Sequence, residues 1–302
     1  MIRLECDYLE GAAPEVLAAL CDTNATQTVG YGEDEYCARA HRLIAELCDM
    51  PAAAVHFFVG GTQVNLTVIA AALAPFEGVL CADTGHINVH ETGAVEATGH
   101  KVLALPCADG KLTAEQVCDA CLAHEGDATH EHMVRPAMVY VSQPTELGTL
   151  YTRAELARIY AVTRELGLTL YIDGARMAYA LAAQPDVDMP FLARHCDAFT
   201  LGGTKCGALF GEALVLPAPA EWPMFRYHIK QRGGMLAKGR LLGVQFAALT
   251  ADGLYVELGR AANAQAQRVK AACQSRGLPM FCDTLTNQIF PIFPDALIAK
   301  LQ

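Results

Sequence analysis

Short apolar runs rich in β-branched residues alternate, from about residue 15 to residue 240, with segments in which apolar residues recur every three or four positions. The short runs predict strands and the longer segments predict helices. The expected strands are at residues 55–59, 78–82, 101–105, 137–141, 168–172 and 198–201. The expected helices are at residues 62–73, 87–97, 113–122 and 153–166. This alternation predicts right-handed βαβ units and thus an α/β domain with a mainly parallel sheet.

Two of these helices have recognisable end signals. Thr113 and Gln116 have the spacing of a capping box at a helix start. Gly167 directly follows the segment 153–166, where glycine commonly ends a helix in the left-handed conformation.

The pattern changes after Gly243. Three further elements are expected there: an Ala-rich helix over residues 249–276, a strand over residues 280–292 that is interrupted at residues 286–288, and a last helix from Pro294. We therefore expect three parts of the chain: an N-terminal segment at residues 1–14, a large domain at residues 15–243, and the start of a smaller α+β domain at residues 244–302. The chain cuts the last helix at Gln302, so the small domain is expected to be incomplete.

Composition narrows the classes of function. Hydrophobic residues make up 53% of the 302 residues and charged residues 18%, so the chain can bury a large core. The net charge of −11 and the lack of a Lys/Arg run argue against nucleic-acid or anionic-membrane partners. The apolar stretches are shorter than the roughly 18 residues that a membrane span needs, and acidic residues near the start argue against a signal peptide. Reduced, mostly buried cysteines and a cytoplasmic location are expected.

Ligands of open α/β sheets bind outside the carboxyl ends of the strands. Polar and glycine-rich segments follow five of the predicted strands. They are Gly60-Gly61-Thr62, Asp83-Thr84-Gly85-His86, Ser142-Gln143-Pro144-Thr145, Asp173-Gly174-Ala175-Arg176 and Gly202-Gly203-Thr204-Lys205. These segments are expected to form one pocket.

Three features of this pocket point to pyridoxal 5′-phosphate. Lys205 stands in an apolar, glycine-rich segment that would lower its pKa, as an imine-forming amine requires. Asp173 follows a buried strand and could bind the pyridinium nitrogen, while the turn at residues 60–62 opens a helix whose N–H groups suit a phosphate. His86 could stack on the ring face.

Each residue also has an ordinary structural interpretation. The turn at residues 60–62 could be a simple strand-to-helix connection, and Asp173 could be a helix N-cap. Arg176 could pair with Asp173, Lys205 could extend to the surface, and His86 could be a loop histidine. The combination of these residues favours the cofactor.

A metal site is not predicted. Cys118 and Cys121 form a C-x₂-C pair, followed by His124, His130 and His132. The spacing of the two cysteines with their apolar neighbours is that of one helix face, and a core position is the favoured interpretation.

The sequence resembles the threonine aldolase and β-eliminating lyase group of fold type I pyridoxal-phosphate enzymes over nearly its whole length. The matching segments are Tyr31-Gly32-Glu33-Asp34, Gly60-Gly61-Thr62, His86 through Glu91-Thr92-Gly93-Ala94, Asp173-Gly174-Ala175-Arg176, and Thr204-Lys205. The resemblance implies a seven-stranded sheet like that of the aspartate aminotransferase large domain. It also implies a homodimer or homotetramer with sites between subunits.

The resemblance assigns roles to the matching residues. Lys205, with Thr204 beside it, would bind the cofactor covalently, and Asp173 would bind the ring nitrogen. Arg176 would contact the ring 3′-oxygen or the substrate carboxylate. His86 would stack on the ring and help proton transfer. The phosphate would be held by Gly60, Gly61 and Thr62.

Some family positions differ in this chain. Asp7 follows Cys6 where the family has Arg-Ser-Asp-Thr, and Gln143 lies where the family has Glu-Asn-Thr-His. Both are expected to contact substrate. Lys238 is expected to replace the arginine that reaches the partner subunit's phosphate. A carboxylate-binding arginine of the C-terminal domain is expected beyond Gln302.

The implied activity is cleavage of β-hydroxy-α-amino acids, such as threonine or allo-threonine, to glycine and an aldehyde. Three alternatives stay open at this point: another pyridoxal-phosphate β-eliminating lyase, an aminotransferase, or a truncated non-catalytic relative.

Overall fold

The computed structural model describes residues 3–301. These residues contain one seven-stranded sheet. The strands are β1 (Ala54–Phe58), β2 (Glu77–Ala82), β3 (Lys101–Leu105), β4 (Arg135–Ser142), β5 (Thr169–Asp173), β6 (Ala198–Gly202) and β7 (Glu212–Leu216). Their order across the sheet is β1-β7-β6-β5-β4-β2-β3. Only β7 runs antiparallel to its neighbours β1 and β6 within the described chain. The predicted mainly parallel sheet is confirmed.

Twelve α-helices accompany the sheet in the described residues. They are α1 (Pro14–Thr23), α2 (Glu35–Leu47), α3 (Gly61–Ala72), α4 (His86–Val89), α5 (Ala114–Gly126), α6 (Arg153–Leu166), α7 (Met177–Ala183), α8 (Met189–Arg194), α9 (Phe225–Gln231), α10 (Arg240–Thr250), α11 (Leu254–Gln274) and α12 (Asp295–Leu301). The capping box of Thr113 and Gln116 is present at α5, and Gly167 ends α6 with φ 65°.

Helices cover both faces of the sheet, so the central strands are apolar on both sides. In β5, Leu170 and Ile172 pack into one core together with α5, α6 and α7, whereas Tyr171 packs into a second core with α3 and α9. This explains why the central strands appear in the sequence as continuous apolar runs rather than as alternating patterns. The polar groups of these strands are therefore concentrated at their ends.

Six predicted strands are confirmed to within about two residues, but β7 was not predicted. It follows the glycine-rich loop of residues 203–211 without an intervening helix, so the strand–helix alternation gives no signal for it. It also positions β1, because β1 reaches the sheet only through its pairing with β7.

Three other expectations are wrong in part. The helix expected at residues 87–97 is only the four-residue α4 and a separate 3₁₀ turn at Glu96–Thr98. The expected strand at residues 280–292 is a single bridge between Met280 and Pro291, and in the described chain the segment pairs with no strand of the sheet. The helix expected at residues 249–276 is interrupted at Asp252, whose φ is 52°, so that its first two residues belong to α10 and most of the rest forms α11.

Residue 243 lies within α10, and the division of the chain there stays a prediction. Helix α10 packs against α1 and α2, while α11 packs against α7. Residues 240–274 are apolar and long enough to pass as a membrane span by composition. The structure divides them into two helices, of which α10 is mostly buried and α11 is buried along one side only.

All twelve cysteines are free, and six of them are buried. Burial raises the pKa of Cys37, Cys48 and Cys81 to about 12, so these thiols are protonated and serve as small apolar groups.

We predict that Gly202→Ala destabilises the fold. A Cβ at residue 202 would lie 2.2 Å from the carbonyl oxygen of Ala175, where the loop after β5 crosses the end of β6. The backbone must shift, and the free energy of unfolding should fall by about 1–3 kcal/mol in urea denaturation. Gly126→Ala is the control, because a Cβ at the exposed end of α5 meets nothing within 4 Å. Equal stabilities of the two variants would contradict the prediction.

Candidate active site

Segments at the carboxyl ends of β1, β2, β4, β5 and β6 line a cavity of about 300 Å³. Eight predicted site residues line it. They are Gly60, Gly61, Thr62, His86, Asp173, Arg176, Thr204 and Lys205. The structure therefore brings together the segments that follow four separate strands, and it does so at the edge where the parallel topology predicts a ligand.

Asp173 is the most firmly held side chain of the cavity. It is 5% exposed at the end of β5. Its Oδ2 accepts hydrogen bonds from the Tyr140 hydroxyl at 2.6 Å and from Asn65 Nδ2 at 3.0 Å, and its Oδ1 accepts one from the Ala175 N–H at 2.8 Å. These donors come from β4, α3 and the loop after β5, so the carboxylate is fixed from three directions.

Asn65 extends this network to His86 through Glu91. Asn65 Nδ2 also donates to Glu91 Oε1 at 2.8 Å, and Asn65 Oδ1 accepts from the Tyr171 hydroxyl at 2.6 Å. His86 Nδ1 lies 2.8 Å from the same Glu91 oxygen. Because a carboxylate only accepts, Nδ1 carries the proton. The hydrogen bond that His86 donates to Glu91 raises the pKa of His86, although burial opposes this.

Lys205 lies on the loop between β6 and β7, half-buried at the cavity wall. Its carbonyl oxygen accepts a hydrogen bond from the Tyr179 hydroxyl, and the preceding Thr204 N–H donates to Gly211 O at 3.0 Å. The Nζ atom lies 6.0 Å from the centre of the Tyr8 ring. Among residues 3–301 no carboxylate comes within 4 Å of Nζ. The backbone is therefore held while the amine is left available.

Helix α3 presents its N-terminus to the cavity. Gly60 is its N-cap and supplies no side-chain hydrogen bond, and the N–H groups of Gly61, Thr62 and Gln63 have no acceptor in the described part of the chain. Free amides at the start of a twelve-residue helix bind anions well, because the helix dipole adds to their hydrogen bonds.

Arg176 pairs with Asp7 rather than with Asp173. Arg176 Nε and Nη2 donate to the two carboxylate oxygens of Asp7 at 2.6 and 3.0 Å, and Asn287 Nδ2 donates to Asp7 Oδ2 at 2.8 Å. Burial alone would raise the pKa of Asp7, but the bonds and charge of Arg176, with Asn287, hold it below its usual value. The pair is thus ionised at the rim of the cavity.

Three predicted residues do not line the cavity: Asp7, which pairs with Arg176 at its rim, Gln143 and Lys238. Gln143 is fully buried, and both ends of its amide bond the backbone of Tyr151, so the structure contradicts a substrate contact by its side chain. Lys238 is exposed on the segment before α10 and does not line the cavity. Its role toward a partner subunit stays a prediction.

Sequence reasoning missed two carboxyl groups of the cavity. Glu146 Oε1 accepts from Ser142 Oγ at 2.6 Å and from the His86 N–H at 2.8 Å, and burial raises its pKa. Glu212, the first residue of β7, is 4% exposed. Burial raises its pKa to about 8. Glu146 follows the noticed segment 142–145 directly and could have been found there, whereas Glu212 depends on the unpredicted strand.

The cysteine and histidine cluster shows no ligand arrangement. Val117 and Cys121 are buried on the inner face of α5, while Leu122 is exposed. Among the residues that the structure describes, no three His, Cys, Asp or Glu side chains could hold one metal ion.

We predict that Glu91→Gln lowers the pKa of His86. The substitution removes the negative acceptor that stabilises the protonated ring, while the side chain keeps its shape. The measurement is an NMR titration of the His86 ring, assigned with His86→Asn. Glu96→Gln, at an exposed position five residues further on, should leave the pKa unchanged. An unchanged His86 pKa in Glu91→Gln would refute the assignment.

Comparison with known proteins shows to which family this chain is similar. The family described as beta-eliminating lyase matches residues 4–291. Low specificity L-threonine aldolase of Pseudomonas aeruginosa is 32% identical over 262 residues, which are 85% of this chain and 74% of the relative. The enzyme of the same name from Saccharomyces cerevisiae is 26% identical over 307 residues, with coverage of 98% and 77%.

Solved structures agree with this result. Leishmania major threonine aldolase superposes with a TM-score of 0.94 at 47% identity, covering 98% of this chain and 85% of that one. Aspartate aminotransferase of Thermus thermophilus superposes with a TM-score of 0.68 at 15% identity, with coverage of 90% and 72%, which supports the fold alone. The expected aminotransferase-like fold is confirmed, and folds of this kind belong to pyridoxal-phosphate enzymes. The chain belongs to the beta-eliminating lyase family.

Proposed function

We propose that this chain is a pyridoxal-phosphate-dependent lyase that cleaves β-hydroxy-α-amino acids of the threonine type to glycine and an aldehyde. The observation that carries the proposal is that Lys205, Asp173 and the free start of α3 share one cavity. The relatives named threonine aldolase support the choice of reaction.

The residues present fit this cofactor. Lys205 offers an amine without a competing ion pair, and Asp173 offers a carboxylate whose position is already fixed. The amides of residues 61–63 lack acceptors and suit a phosphate. When bound, pyridoxal phosphate supplies an aldehyde that combines with amines and a ring that accepts the electrons of a bond broken at the substrate Cα.

The fixed charges of the chain favour that electron flow. The Asp173 carboxyl group lies at the floor of the cavity, where it would hold the ring nitrogen of the cofactor and favour its protonated form. Tyr140 and Asn65 prevent the carboxylate from turning away. Arg176 is directed to the rim by Asp7, where a substrate carboxylate or the ring 3′-oxygen can share its guanidinium. His86 forms the opposite wall and is proposed to stack on the ring.

Breaking the Cα–Cβ bond requires a group that takes the proton of the β-hydroxyl. His86 and Glu146 both line the cavity and are joined through the His86 N–H. We assign to Glu146 the role of accepting the β-hydroxyl proton. Its Oε2 accepts no hydrogen bond from the described residues, and its raised pKa brings it nearer to the working pH of a base.

Related chemistry is distinguished by its products. A β-eliminating lyase would release ammonia, an aminotransferase would require an amino acceptor, and an inactive relative would release nothing. Glycine and acetaldehyde formed in equal amounts from threonine would separate the aldolase from all three. We further propose a cytoplasmic homodimer or homotetramer in which Lys238 reaches the partner subunit's phosphate site.

We predict that Lys205→Ala abolishes glycine release from threonine, with a loss of more than about 10³-fold. The wild-type protein should carry a phosphopyridoxyl group on Lys205 after borohydride reduction, located by peptide mass spectrometry, and the variant should not. Lys101→Ala, at an exposed position of the edge strand β3, is the matched control and should keep full activity. Label on another lysine, or activity in Lys205→Ala, would overturn the assignment.

We predict that Glu146→Gln lowers kcat by about 10²- to 10³-fold, because a neutral amide cannot take the hydroxyl proton. The KM for threonine should change much less. Steady-state kinetics across pH would test this, with Glu96→Gln as a control that lies outside the cavity. If kcat is unchanged in Glu146→Gln but lost in His86→Asn, the base is His86 instead.

A further inference from the structure

Glu212 occupies a central place between two parts of the site. As the first residue of β7, it is paired in register with Phe58 at the end of β1 and with Gly202 at the end of β6. The chain runs from Phe58 into the turn that begins α3, and from Gly202 into the loop that carries Lys205. The antiparallel direction of β7 is what brings its first residue, rather than its last, to this edge of the sheet.

The Glu212 side chain lines the cavity, and one of its two carboxyl oxygens has no bonding partner. It lines the same cavity as Gly60, Gly61 and Lys205. Its Oε2 atom is enclosed and has no hydrogen-bond partner among residues 3–301. A buried carboxyl oxygen without a partner costs free energy, and such groups in proteins generally have a use.

Burial favours the neutral form of this carboxyl. Burial, together with the charge of Asp173, raises the pKa of Glu212 to about 8, although a hydrogen bond with Thr204 and the charge of Lys205 act in the opposite direction. The titratable groups that interact with it are Asp173 and Tyr171 of β5, Lys205 and Cys206 of the following loop, and Tyr255 of α11. At neutral pH the side chain is therefore mainly a carboxylic acid, which can donate a hydrogen bond.

We infer that Glu212, in its neutral form, donates a hydrogen bond to the phosphate group bound at the start of α3. This inference rests on the cofactor of the proposed function. The α3 amides supply donors from one side, and the O–H of Glu212 supplies one from the neighbouring strand β7. Ionised Glu212 would instead repel the phosphate.

The arrangement makes phosphate binding depend on pH. A bound phosphate dianion stabilises the protonated acid, so binding above pH 8 requires the uptake of a proton. Affinity then falls by up to about tenfold for each pH unit above the pKa of free Glu212. Below that pKa the proton is already in place and Glu212 adds no pH dependence.

The test measures the Kd of 4′-deoxypyridoxine 5′-phosphate, which has the phosphate but no aldehyde and so leaves Lys205 unmodified. Wild type is compared with Glu212→Gln, whose amide stays a neutral donor at every pH. The ratio of the wild-type Kd to the variant Kd should be constant below about pH 7.5 and rise at least about fivefold by pH 9.5. Taking the ratio cancels the titration of the analogue itself.

Two controls make the result specific. Glu212→Met removes the donor at similar length and should weaken binding about tenfold at pH 7, the loss of one hydrogen bond. With 4′-deoxypyridoxine, which lacks the phosphate, the ratio for Glu212→Gln should stay flat. Thermal unfolding of each variant checks that the fold is retained.

The outcomes separate this inference from the function on which it rests. A flat ratio for the phosphate analogue, or an equal rise for both analogues, overturns the role of Glu212 and leaves the cofactor standing. Failure of the wild-type protein to bind either analogue overturns the cofactor as well.

Discussion

The placement of one buried carboxylate governs the whole site. Asp173 ends β5 in the middle of the sheet, and a negative charge there is tolerated because Tyr140, Asn65 and the Ala175 N–H all donate to it. Asn65 is in turn shared with Glu91, which holds His86. A single hydrogen-bonded chain therefore fixes the floor and one wall of the cavity, so the same contacts that offset the burial of Asp173 also orient the groups around it.

The carboxyl groups at the cavity and its rim differ in pKa because their hydrogen-bond and charge partners differ. Asp7 is balanced by a guanidinium and stays ionised, whereas Glu146 has only neutral donors and Glu212 lacks a partner on Oε2. The pKa of Asp7 is accordingly lowered, while those of Glu146 and Glu212 are raised. The cavity and its rim thus hold carboxyl groups whose pKa values are shifted in opposite directions, and catalysis by proton transfer depends on such a difference.

Much of the fold and of the candidate site could be predicted from the sequence, because the patterns that indicate them lie within short segments of the chain. Strands such as β5 are continuous apolar runs, and Lys205, Asp173 and His86 follow strand ends directly. The predictions failed where position depends on distant partners. No helix precedes strand β7, so the strand–helix alternation does not predict it. Glu212 is the first residue of that strand and was missed for the same reason. Gln143 has the right place in the chain but points into the core, because Tyr151 binds its amide.

The pairing of β1 with β7 also limits how early the sheet can be completed while the protein is synthesised. Strand β1 ends at residue 58, but its neighbour in the sheet begins at residue 212. More than half of the chain must therefore be synthesised after β1 before the two strands can pair. Contacts of such long sequence separation are slow to form, because a large loop must close first. The turn that begins α3 follows β1 directly, so it gains its neighbour Glu212 only after β7 has been synthesised. Closure of this side of the cavity therefore depends on a contact that bridges more than half of the chain.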